Sequence, residues 1–96
     1  MERRKLDANE VGEALKALPG WALEEGKLKK EFKFGSFAEA IGWMVAASIY
    51  ADQIDHHPEW FNVYNRVRVA LVTHDMGALS TLDLALARRM QALAGE

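Results

Sequence analysis

From the N-terminus, Val11, Leu15 and Leu18 recur every three to four residues, the spacing of one face of a helix. Asp7 followed three residues later by Glu10 forms a capping box, and Pro19-Gly20 stops the run, so a first helix over Ala8 to Leu18 is predicted. The pattern then shifts to alternation. Trp21 and Leu23, the turn sequence Glu24-Glu25-Gly26-Lys27, and then Leu28, Phe32 and Phe34 predict a hairpin turning at Gly26, with those last three on one face. Ser36 is a helix cap with Glu39 three residues on, and Phe37, Ile41, Met44, Val45 and Ile49 form a stripe that carries a second helix to about Ile54. Ser48 lies on this stripe, where its hydroxyl can bond back one turn. The other side, with Trp43, Ala47, Tyr50 and Ala51, is nearly apolar too, and such a helix has a second surface to bury. Self-association is the expectation, with a central helix inside one monomer as the alternative.

Beyond Pro58, Trp60, Phe61, Val63 and Tyr64 read as a strand, Asn65 as a turn, and Val67, Val69 and Leu71 as the inward positions of a second strand. Asp75-Met76-Gly77 breaks this hairpin. Ser80 with Asp83 caps a last helix whose expected buried stripe is Leu82, Leu86, Met90 and Leu93. The order α-β-β-α-β-β-α predicts an α+β fold: a four-stranded antiparallel sheet with three helices on one face.

Ninety-six residues, half of them apolar, support one domain over residues 1–96 with a genuine core and no linker or repeat. The absence of cysteine excludes disulfides, thiolate metal sites and a cysteine nucleophile. A net charge of −2 gives no general attraction to nucleic acid or anionic membrane. The basic cluster Lys27, Lys29, Lys30 and Lys33 reads as the solvated side of a hairpin, and Arg88-Arg89 as a complement to the last helix's dipole. The charged start has no apolar region behind it and Ala40–Ala51 is too short to span a bilayer, so a cytoplasmic protein is expected.

All three histidines border the second hairpin. Asp55-His56-His57-Pro58 enters it and Thr73-His74-Asp75 leaves it, and antiparallel pairing brings those ends together, with His56 and His74 nine residues either side of Asn65. Pro58 holds His57 extended, so neighbouring rings diverge and two of them could flank a ligand. Imidazoles give and accept protons near neutral pH, which suits addition or elimination of water at a carbon beside nitrogen. Asp52, Asp55 and Asp75 are near enough in sequence to orient them. Zinc binding is the competing chemistry, disfavoured because neither His-x-His nor a helical i, i+4 pair is present. Capping or surface histidines remain a third reading. Trp21 and Trp60 read more simply as core or interface aromatics than as ligand platforms.

The run Asp55-His56-His57-Pro58-Glu59-Trp60-Phe61-Asn62-Val63-Tyr64-Asn65, with Thr73-His74-Asp75, Gly77, Leu79-Ser80 and Asp83 at their distances, resembles the pterin-4a-carbinolamine dehydratase family, and Gly20-Trp21 extends the likeness over nearly the whole chain. The resemblance implies the same α+β fold and assembly into dimers, commonly tetramers of paired dimers. It also implies dehydration of the 4a-hydroxy-tetrahydropterin left by aromatic amino acid hydroxylases, with no metal or organic cofactor. His56, His57 and His74 then match the family's active-site histidines, with His56 and His74 favoured at the reacting edge and His57 positioning the pterin or serving the opposite stereoisomer. Asp55 matches an acidic position that orients a ring, Asp52 stands where a glutamate is familiar, and Trp21 matches a tryptophan near the pocket. Two departures are Val72, where some members have serine, and Leu82, where some have an arginine at the pocket mouth. Animal relatives also act as dimerisation cofactors for a homeodomain transcription factor, so a regulatory binding module is the alternative.

Overall fold

The computed structural model describes residues 1–96. Its elements are α1 (Ala8–Lys16), β1 (Ala22–Glu24), β2 (Lys27–Lys33), α2 (Phe37–Gln53), β3 (Glu59–Val63), β4 (Arg66–Leu71), a 3-10 turn (His74–Met76) and α3 (Thr81–Leu93). The strands form one antiparallel sheet in the order β1-β2-β4-β3, so β3 is an edge and the pairing of β2 with β4 joins the two hairpins. The expected α+β fold and element order are those observed.

Local chemistry explains most of the boundaries. Asp7 accepts from the Glu10 backbone N–H while the Glu10 carboxylate accepts from the Asp7 N–H, closing the capping box of α1. The α-helix ends at Lys16 rather than Leu18, but tighter bonds from Ala17 N to Ala14 O and Leu18 N to Leu15 O carry the turn on and leave Leu18 buried. The first hairpin turns at Glu25-Gly26, both with positive φ (55° and 75°), the conformation that favours glycine. The second turns at Tyr64-Asn65. Tyr64 sits in the turn at φ 49° and not in the strand, which starts one residue earlier than expected, at Glu59.

The core lies between the sheet and the helices. Leu28 and Phe32 on β2 and Val67, Val69 and Leu71 on β4 face Ala40, Trp43, Ala47 and Ala51 of α2 and Leu86, Ala87 and Met90 of α3. The small alanines let the α2 backbone approach, while Trp43 fills the remaining space against Phe32 (ring centroids 4.5 Å apart) and donates its indole N–H to Met90 O. The face of α2 that packs is therefore the alanine face. The stripe predicted to be its main apolar face is largely open: Phe37, Val45 and Ile49 are each more than half exposed and Ile41 is over a third exposed. Ser48 bonds back to Val45 O at 2.6 Å but lies in the open.

Three further expectations are corrected. Lys30 shares the inward parity of Leu28 and Phe32, and its nearly buried ammonium donates to Pro19 O, Gln91 and Glu96, so it is not part of a solvated basic face. Leu93 is exposed, while Leu84, Ala87 and Gln91 are buried alongside the expected Leu82, Leu86 and Met90. Arg88 and Arg89 precede the last turn of α3, and Arg89 lies over the Tyr50 ring at 4.0 Å. No helix is long and apolar enough to cross a membrane.

Arg4 grips both oxygens of Glu10 (2.9 and 2.7 Å), and this with the Asp7 N–H lowers the Glu10 carboxyl to about 2. A depressed folded value means stability present above the unfolded value near 4.5 and lost as pH falls toward about 2. The difference in thermal midpoint between wild type and Glu10→Gln should be largest at neutral pH and low salt, shrink through that window and vanish below it; a pH-independent difference would contradict the assignment.

Candidate functional site

The site forms where the α2–β3 connection meets the β4–α3 connection. At the end of α2, Asp55 adopts φ 49°, with His56 N bonding to Ala51 O (3.0 Å) and Asp55 N to Asp52 O (3.2 Å). This is a Schellman C-cap with aspartate in the left-handed position that glycine usually takes. The reversal turns the chain so that His56 points back toward α3. Pro58 then starts the extended run into β3, and His57 and His56 diverge.

His56 is the most enclosed of the three imidazoles. Its Nε2 lies 2.6 Å from Oδ1 of Asp83, which is fully buried. Thr73 Oγ1 donates to the other Asp83 oxygen at 2.8 Å, the Ser80 N–H at 2.9 Å, and Thr73 and Ser80 share a further 2.7 Å bond. Burying a carboxylate is costly unless its lone pairs are satisfied, and here both oxygens are engaged. Asp83 closes the α3 capping box, which is how its sequence context read; that it also receives His56 had no local signal, since 27 residues separate them.

The other two rings are exposed; His57 is hydrogen-bonded to a carboxylate and His74 lies in ion-pair contact with one. His57 Nε2 is 2.9 Å from Asp52 Oδ1, and His74 Nε2 is 2.8 Å from Glu59 Oε2. Each imidazole thus uses Nε2 on a different acid. A carboxylate only accepts, so the bonds to Asp83 and Asp52 place a proton on Nε2 of His56 and of His57. No three His, Asp or Glu side chains converge in a metal-holding arrangement.

Of the remaining residues singled out from sequence, Asp52 lies against His57 and Pro58 separates His57 from Glu59. Asp75 stands beside His74 with its carboxylate taken by Arg3, whose guanidinium holds it below the ordinary range. Asp55 shapes the site through its backbone; its exposed carboxylate has no hydrogen-bond partner. Trp21 is buried against Phe32 and donates to Gln91, eight residues along α3 from Asp83 and so roughly 12 Å away at 1.5 Å per residue. Leu82 is buried and Val72 half-buried. Glu59, which sequence reasoning passed over as a site residue, also lines a depression of about 530 Å³ on the uncovered face of the sheet, with Lys29, Phe61 and Arg68.

The family model described as pterin 4 alpha carbinolamine dehydratase matches residues 4–93. Proteins of Brucella ovis and Brucella canis, provisionally named pterin-4-alpha-carbinolamine dehydratases, are each 47% identical over 97 residues, covering 99% of this chain and all of theirs. A crystal structure described as a transcriptional coactivator/pterin dehydratase from Brucella melitensis superposes with a TM-score of 0.90 at 47% identity, covering 95% of this chain and 99% of that one. A pterin dehydratase-like protein described as a RuBisCO assembly factor in the alpha-carboxysome gives a TM-score of 0.65 at 26% identity, over 79% of this chain and 88% of its own.

The Schellman reading of Asp55 makes a specific prediction. Asp55→Gly should retain or slightly raise stability, whereas Asp55→Val should cost about 1–2 kcal/mol because a β-branched residue resists positive φ. Urea unfolding of the two variants checks it, and equal stabilities would refute it.

Proposed function

The chain belongs to the pterin-4a-carbinolamine dehydratase family, and on that premise we propose that it dehydrates 4a-hydroxy-tetrahydropterin to quinonoid dihydropterin and water by histidine acid–base catalysis. The observation that carries this reading is the set of three imidazoles, each with its Nε2 within 2.9 Å of a carboxylate of its own. Loss of the 4a-hydroxyl needs an acid at the leaving oxygen and a base at N5–H. The C4a–O bond breaks as the N5–H electron pair forms C4a=N5, and one water leaves. A neutral ring with Nε2–H on a carboxylate accepts the N5 proton at Nδ1; a protonated ring supplies the proton to the hydroxyl. Each such transfer is typically worth about 10²–10⁴-fold.

In this reading His56 and His74 work at the reacting edge and His57 positions the pterin, with Asp83, Glu59 and Asp52 behind them. Asp75 and the Asp55 turn frame the pocket, and Pro58 keeps the adjacent rings apart. Trp21 would act only as part of the core that supports the site. No metal or organic cofactor enters the step. The biological setting would be pterin recycling beside an aromatic amino acid hydroxylase in the cytoplasm.

The test is decay of enzymatically generated 4a-hydroxy-tetrahydropterin, followed by stopped-flow absorbance in the presence of chelator. Wild type should accelerate it, and His56→Ala and His74→Ala should each lose most of the acceleration, about 10²-fold or more. No acceleration by wild type, with or without added metal, would defeat the dehydratase reading.

A regulatory binding module on the same fold is the second reading, supported by the open apolar face of α2 and by the neighbour described as an assembly factor. That face also supports a homodimer or homotetramer, since contiguous exposed apolar surface of this kind marks association. Val45→Glu with Ile49→Glu should lower the mass measured by light scattering to that of one chain while circular dichroism is unchanged; an unchanged mass would place any self-association elsewhere.

A further inference from the structure

His74 is the least supported of the three histidines by its own backbone, since it sits on a three-residue 3-10 turn with its side chain 72% exposed. Its ring is nevertheless in ion-pair contact with a carboxylate from a different element. Glu59 opens β3, paired with Ala70 of β4, and Ala70 is in turn paired with Lys29 of β2. Residues of alternating parity share a sheet face, so Glu59, Ala70, Lys29 and Lys27 all stand on the uncovered side. Alanine at position 70 leaves the Glu59 side chain room to lean across β4, where Lys27 Nζ meets Oε1 at 2.7 Å and His74 Nε2 meets Oε2 at 2.8 Å.

The surrounding charges are already committed. Asp75, the acid next to His74 in the chain, is taken by Arg3, and Lys29 is taken by Glu25. Lys27 also faces Glu24 across the β1–β2 ladder, but its ammonium bonds Glu59. Among these acids Glu59 alone is in contact with His74. Its carboxyl is held below the ordinary range, chiefly by Lys27 and further by His74, so it stays an acceptor for the ring N–H.

We propose that Glu59, anchored by Lys27, is the positioning residue of His74: it holds the ring as the Nε2–H tautomer and reserves Nδ1 for proton transfer. The catalytic consequence rests on the dehydratase reading above; the positional statement does not. Strand register makes the device rigid, because Lys27 and Glu59 are fixed two strands apart by backbone pairing, whereas a partner on the His74 loop would move with it.

The experiment is side-chain ¹⁵N–¹H correlation of the histidines in the full chain, at a pH of about 8.5, above the usual imidazole range. Wild type should show His74 protonated at Nε2. Glu59→Ala should give a mixture of tautomers, Lys27→Met a partial shift toward that mixture, and Lys27→Arg the wild-type pattern. In the stopped-flow assay Glu59→Ala should lower kcat by roughly 10–100-fold with KM changed less than about twofold, and with little effect on thermal midpoint. An unchanged His74 spectrum in Glu59→Ala overturns the proposal, even if activity falls. If wild type shows no dehydration, the functional reading fails, and the ring spectra alone still decide whether Glu59 positions His74.

Discussion

A carboxylate without solvent contact must find its hydrogen bonds inside the protein, and Asp83 finds them on three separate segments. His56 comes from the turn after α2, Thr73 from the end of β4 and Ser80 from the start of α3. Oδ2 accepts from both Thr73 and Ser80, whereas Oδ1 has His56, whose withdrawal would leave a buried oxygen unpaired at about 1–3 kcal/mol. One side chain therefore caps a helix, holds the most enclosed imidazole and fixes the residue immediately before His74.

The segments that meet at Asp83 are restrained from outside as well. The N-terminal arm runs beside the β4–α3 connection, with Leu6 N on Leu79 O and Thr81 N on Arg4 O, while Arg3 reaches Asp75. On the other side, the Schellman turn at Asp55 leaves His56 little freedom of approach. The histidines thus lie on loops, but on loops whose ends and middles are bonded to helices and to the sheet. That is the condition under which a constellation of side chains can be held for chemistry.

The helical layer shows how a packing choice creates a surface. Both sides of α2 are apolar, and the side that meets the sheet is the one with alanines at positions 40, 47 and 51, where a close backbone approach leaves Trp43 to fill the gap. The larger Phe37, Ile41, Val45 and Ile49 would have held the helix off the sheet and are left outward. Area alone would have favoured burying the larger residues; fit against Phe32 and Leu28 reverses the choice.

Element order, caps and turn positions were legible in the chain because each depends on neighbours a few residues apart: Asp7 with Glu10, Ser36 with Glu39, Ser80 with Asp83, Glu25 with Gly26. The His-His-Pro run and its spacing to His74 carried the family for the same reason, as a linear pattern. His57 and Asp52, five residues apart, belong to that local layer. What only the tertiary structure decided were the pairings across the fold: His56 with Asp83, His74 with Glu59 and Lys27, and the inward Lys30 with Gln91 and Glu96. Those depend on strand register and on which helix face meets the sheet, and both follow from how the whole core fills its volume, which periodicity along the chain does not specify.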